Sequence, residues 1–322
     1  MPARKKSVSQ NKTSVAARQT AAAGTPAWPS YQGTSQLVGT SPSGRVTVYV
    51  DPSLGQSALQ NAQDLLKDAD RVVTANDDIF GTTGGDVSVI VFALGGATDG
   101  TGGADHMACD YTSGNAIEVD ASYGNSSRVS ALFEAELSEC SMKGNLCGES
   151  TGEALSRWCA AVVSNNALAD FATAPQWAQD GMPNWVDQTE NTDQDADSIG
   201  CGMAFLSWLM STGHGLNKIA PAMVALGDSG TLAQLYANLT SDAASNAWSK
   251  FQAAVQALPN GVTSDDPFGA FPAARIPAQI PSQLAPGMAA SEAMPRGPRP
   301  ATRAAACEPK SHRLLPPKKD RP

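Results

Sequence analysis

Long apolar runs are missing from this chain. The most apolar stretches, such as residues 87–94, are strand-sized, while a membrane-crossing helix needs about 18 or more apolar residues in a row. Histidine is scarce, at three in 322 residues, and His106, His214 and His312 are not spaced as a ligand pair. Basic residues are almost lacking in the middle. Residues 46–272 hold seven Lys/Arg against 28 Asp/Glu, a net charge of −21. A body this acidic repels nucleic-acid phosphates and anionic membrane surfaces, so neither is an expected partner. No C-x-x-C pair occurs. The glycine-rich stretches at 81–85 and 95–103 lack the Lys of a phosphate loop, and no G-x-S-x-G elbow is present.

What is there suffices for a real core. The chain is 42% hydrophobic, and its length suits one large domain or two ordinary ones. Residues 1–45 hold six Lys/Arg and no acid, and residues 273–322 hold nine against three. Both ends are poor in large apolar groups, so we expect disordered basic tails at 1–43 and 263–322. Deleting them should then leave folding unchanged. Arg4-Lys5-Lys6 is followed by no apolar run of signal-peptide type. The compartment stays open between secreted and cytoplasmic. Cys140 and Cys147 flank a short polar stretch and form a plausible disulfide loop among fifteen pairings of six cysteines.

Within 44–262 the pattern reads strand, helix, strand, two short strands, then helices. Residues 45–51 alternate and are β-branched, and 87–93 are nearly continuously apolar, as in a strand covered on both faces. Residues 57–76 carry apolar side chains at helical spacing. A loop at 95–105 precedes short strands at 107–111 and 116–120. Helices are expected at 127–142, 152–164, 167–171, 198–211, 216–226, 231–239 and 243–258. Strands first and helices later argue an α+β domain, with an N-terminal sheet and a mainly helical lobe.

The helix at 127–142 carries Glu134, Glu136 and Glu139, the last two on one face. The next helix opens with Thr151-Gly152-Glu153, and Arg157 follows one turn later. On residues alone, Glu136 and Glu139 read as a solvated face and Glu153 as a helix-start acid paired with Arg157. A second cluster, Asp193, Asp195 and Asp197, begins like a calcium loop, but Ser198 and Ala204 stand where that loop needs Gly and Glu. Asp197 and Ser198 then read as the cap of the next helix. Trp158, Trp208 and Trp248 read as core, and Trp177 and Trp185 as cleft-lining.

This order, with Ala135-Glu136-Leu137-Ser138-Glu139, Glu153-Ala154-Leu155-Ser156 and the later SIGCGMAFLSWL helix, resembles the zincin metallopeptidases, in particular the gluzincins. The resemblance covers roughly residues 44–260 in layout. It implies a twisted sheet with a helix, a helical lobe and a cleft between them. In those enzymes two His of H-E-x-x-H hold Zn²⁺, the intervening Glu polarises the attacking water, and a Glu on the next helix is the third ligand. Here Glu136 keeps the general-base position, Ala135 has no donor, and Glu139 replaces the second His. The metal positions left are Glu139 and Glu153, with Asp193 and Asp195 as weaker additions. Carboxylates alone suit Ca²⁺, Mg²⁺ or Mn²⁺ and not Zn²⁺. The resemblance places His106 on the hairpin bordering the cleft, where it reads as an ordinary surface histidine. The expected function is a non-catalytic or altered peptidase-like protein with an acidic cleft for a peptide or hard cation. Rivals are a carboxylate hydrolase acting on glycan or ester through Glu136 with Glu139 or Glu153, and a secreted interaction module.

Overall fold

The computed structural model of the protein describes residues 26–109, 115–271 and 312–314. Its sheet is mixed. β1 (Gln36–Thr40), β2 (Val46–Val50), β3 (Val87–Phe92), β4 (Ala104–His106) and β5 (Asn115–Asp120) are joined by a short β6 (His312–Leu314), in the order β1-β2-β3-β5-β4-β6. The centre, β2-β3-β5, is parallel, and β1 and β4 pair antiparallel at its flanks. Parallel neighbours need a crossover. The first is α1 (Gly55–Phe80), which buries Ala58, Ala62, Leu65, Ala69, Val72 and Val73 against the sheet and stops at Gly81 in a left-handed conformation. The valines of β2 and β3 are buried on one sheet face, and Tyr49, Ile90 and Phe92 are buried on the other.

After β5 the chain is helical. α2 (Ser126–Ser141) opens on Asn125, whose side chain accepts from the Arg128 N–H. It packs against α1, β4, β5 and α3 (Ser150–Val163), so every residue from Arg128 to Ser141 is buried. α4 (Ala174–Gln179), α5 (Ala196–Ser211), α6 (Leu216–Leu226), α7 (Leu232–Thr240) and α8 (Ala247–Gln256) complete the lobe. α3 sits unusually close to its neighbours. A Cβ at Gly152 would lie 2.0 Å from the Leu146 carbonyl oxygen, and one at Gly202 of α5 would lie 2.7 Å from Ala154 Cβ. Among the described residues no helix is long and apolar enough to cross a membrane.

The α+β class and the sheet-then-helix order stand, with corrections at the edges. The strand expected at 107–111 is instead Ala104–His106, and residues 110–114 lie outside the described residues. The helix expected at 167–171 is a 3₁₀ turn, Ala169–Phe171, and 243–258 divides into a 3₁₀ turn, Ala244–Asn246, and α8. The domain limits at 43 and 262 both fall inside the packed body. Trp28 is buried edge-on against Tyr49, the Ser30 and Tyr31 amides donate to Glu118, and β1 pairs with β2. At the other end Asp265 accepts the Thr173 and Ala174 amides, and Phe271 packs on Trp158. These small, scattered anchors carry no periodicity, so composition outweighed them. The tail residues 1–25, 272–311 and 315–322, with Cys307, lie outside the described residues. Trp177, expected at a cleft, is 1% exposed and stacks on Phe251.

Candidate functional site

β4 ends on His106 directly beside the buried face of α2. His106 is 2% exposed, which corrects the surface reading. Its Nε2 lies 3.3 Å from Glu139 Oε2 and 3.9 Å from Glu136 Oε2. Its Nδ1 lies 3.1 Å from the Ala108 carbonyl oxygen. A carbonyl only accepts, so Nδ1 carries a proton; Nε2, facing carboxylates, carries the second. These contacts favour the doubly protonated, imidazolium form of His106. Burial alone would lower its pKa, but the Cys140 sulfur, Glu139 and Glu136 raise it well above the ordinary histidine value.

The acids divide by what they touch. Glu139 accepts from Ser156 Oγ (3.1 Å) and shares a hydrogen bond with Glu153. Burial works against its charge, but the His106 contact wins and holds it below the usual carboxylate range. Glu153 accepts from Arg157 Nε at 2.6 Å, the i,i+4 pair that the spacing suggested. Burial pushes Glu153 up to about 8; Arg157 opposes this and the Glu139 carboxylate adds to it. Arg157 is held in turn by the Phe171 carbonyl oxygen at 2.7 Å. Glu136 is 1% exposed, and neither of its oxygens has a hydrogen-bond partner among the described residues. Burial and the Glu139 charge push its pKa well above the usual range, despite His106. Burial thus favours the neutral form of Glu136, and Glu139 and Glu153, hydrogen-bonded to each other, share a proton.

The solvated-face reading of Glu136 and Glu139 is corrected: both are buried, as is Glu134. Glu134 projects toward Arg71 and away from this cluster, and burial raises its pKa strongly. Asp193 lies near enough to raise Glu139 slightly. Asp195 does other work: it is the N-cap of α5, accepting the Ser198 N–H at 2.7 Å, a role expected of Asp197 and Ser198. The disulfide expectation is corrected too. Cys147 pairs with Cys109, while Cys140 is free, buried, and accepts from Asn115 Nδ2. Asn115 fixes Cys140, and the Cys109–Cys147 bridge closes over His106, with Cys147 Sγ 3.8 Å from Nε2.

The donor set does not fit the zinc that the resemblance of the sequence to zincins implies. Ala135 offers nothing, Glu139 is engaged by His106 and Ser156, and Glu153 by Arg157. A hard cation would have to displace two internal cations.

No protein-family model and no characterised protein matches the chain. Among solved structures, yeast LTA4 hydrolase in complex with Bestatin is similar at 12% identity and a TM-score of 0.34. That match covers 65% of this chain and 36% of the enzyme, so the chain spans about a third of its length. At that score it carries no argument here.

Proposed function

We propose that the protein is a non-catalytic relative of the zincin metallopeptidases, in which a buried histidine–carboxylate network stands where those enzymes hold zinc. The scaffold then serves to hold a peptide or protein segment without cutting it. One observation carries the reading: the His106 imidazolium sits between Glu139 and Glu136, at 3.3 and 3.9 Å. Three features support it. An antiparallel strand, β4, runs at the sheet flank beside α2; α2 bears Glu136 and Glu139; α3 bears Glu153. Burial and the Glu139 charge push Glu136 toward its neutral form, which disfavours it as a general base.

A second reading has one observation in its favour. Glu139 held low beside Glu153 at about 8 is the split pair that acid–base hydrolysis of glycans or esters uses. Both carboxylates are buried and engaged, which favours the first reading.

The test is a hydrolysis screen of casein, peptides, glycans and esters, with and without added Zn²⁺ or Ca²⁺, against Glu136→Gln and Glu153→Gln. We expect no difference between wild type and either variant. Chelator-sensitive proteolysis lost in Glu136→Gln would overturn the reading, and metal-independent glycan or ester cleavage lost in Glu153→Gln would replace it with the second.

A further inference from the structure

His106 faces sulfur as well as oxygen. Its Nε2 and the Sγ atoms of Cys109 and Cys147 lie within 4.8 Å of one another. Cys147 Sγ is 3.8 Å and Glu139 Oε2 is 3.3 Å from Nε2. A tetrahedral zinc with bonds of about 2.3 Å to sulfur and 2.0–2.1 Å to nitrogen and oxygen spaces its ligands about 3.3–3.8 Å apart. The separation of Cys147 from His106 already matches, the Cys109 sulfur lies within 4.8 Å of both, and the two sulfurs, bonded to each other, must part.

We propose that reduction of the Cys109–Cys147 disulfide creates a zinc site from Cys109, Cys147 and His106, with the fourth position open to water. Its donors are not the positions that the peptidase resemblance assigns to metal, which Ala135, Glu139 and Glu153 occupy. The inference rests on the placement of His106 described above, not on the absence of hydrolytic activity. A thiol reductant supplies the electrons: two RSH become RSSR as the bridge becomes two cysteine thiols. Zinc then displaces three protons, one from each thiol and one from His106 Nε2, leaving two thiolates and a neutral imidazole as protein ligands.

The surroundings suit such a switch. Both cysteines are partly exposed, so reductant and metal can reach them, while His106 is buried and held. The loop carrying Cys147 is pinned on both sides of the sulfur. The Leu146 amide donates to Asp228 at 2.6 Å, and Gly152 lets α3 lie against the Leu146 carbonyl. Nδ1 of His106 keeps its Ala108 partner, leaving Nε2 as the metal-facing nitrogen. Of the free cysteines, Cys140 is buried on α2 beside His106 and accepts from Asn115 Nδ2, while Cys159 and Cys201 are fully buried elsewhere on α3 and α5.

The experiment uses the full chain, oxidised and phosphine-reduced, titrated anaerobically with Co²⁺ and then with Zn²⁺ against a chromophoric chelator. The reduced protein should bind one equivalent, with a thiolate-to-cobalt charge-transfer band and the intense visible bands of tetrahedral cobalt. The oxidised protein should show neither. Loss of a supporting contact to a ligand typically weakens binding about 10–100-fold, so Cys109→Ser, Cys147→Ser and His106→Gln should each lose at least that. Cys159→Ser and Cys201→Ser should bind as wild type does. Bound zinc should also shield two thiols of the reduced wild type from alkylation, a readout that needs no variant to fold. Equal binding by the oxidised protein, cobalt spectra without the charge-transfer band, or unshielded thiols would each overturn the site. None of these outcomes bears on the hydrolysis screen, so the two readings fail separately.

Discussion

Arg157→Met should destabilise the protein in a way that depends on pH. The side chain is 6% exposed, donates to Glu153 at 2.6 Å and to the Phe171 carbonyl at 2.7 Å, and lies near the buried Asp265. Below pH 8 Glu153 is largely protonated, because its folded pKa is about 8. The loss there is mainly two hydrogen bonds, about 1–3 kcal/mol for each buried group left unsatisfied. An acid whose folded pKa is raised makes stability fall as pH rises from its unfolded to its folded value. In wild type that fall ends near pH 8. Without the guanidinium the folded pKa of Glu153 goes higher, so the variant keeps losing stability beyond that point, by up to about 1.4 kcal/mol per pH unit. The difference between the two proteins should therefore be flat from pH 6 to 7.5 and widen from 8 to 9.5. Urea unfolding at five pH values, with equal slopes confirming a two-state comparison, measures it. A difference that stays constant, or that narrows with rising pH, would refute the argument.

The other predictions follow from single contacts. Glu136→Gln replaces a buried acid, pushed toward its neutral form, by its neutral isostere. Its stability should equal wild type near pH 4 and exceed it above pH 7, since the raised acid of the wild type loses stability as pH climbs; a lower melting temperature at pH 8 would contradict this. Replacing both bridge cysteines by Ala without added metal should cost up to about 4 kcal/mol in urea unfolding, from the 38-residue separation that the bridge closes. Trp28→Ala should cost about 3 kcal/mol or more, because Trp28 packs on Tyr49 and Ile90 within the sheet's second core. Near-wild-type stability in that variant would restore the reading of residues 1–43 as an appendage.

The fold class was legible because the strongest signals are periodic: the β-branched run of β2, the unbroken apolar run of β3, and the heptad-like spacing in α1. The pair Glu153–Arg157 was legible from i,i+4 spacing. Burial of the α2 acids was not read, although a signal existed. A solvated helix sets Lys or Arg near its Glu residues, whereas between Val129 and Met142 the acids have only Ala, Ser, Cys, Leu and Phe between them. Nothing local could bring His106 to Glu139, because that contact depends on β4 pairing antiparallel with β5 and on α2 packing beneath them. The same holds for Cys109 with Cys147. Sequence proximity favoured Cys140, but Cys140 is buried on α2, while the loop beyond it swings Cys147 back toward β4 through left-handed residues at Lys143 and Leu146.

The central claim is that a charged His106 occupies the middle of the carboxylate cluster. With three histidines in the chain, ¹⁵N-imidazole NMR can follow each ring through a pH titration of the oxidised protein, with His106→Gln assigning the resonance. We expect His106 to remain doubly protonated well above pH 6.5, and its midpoint to fall in Glu139→Gln. A His106 ring that titrates at or below 6.5, or one that is indifferent to Glu139→Gln, would contradict the account.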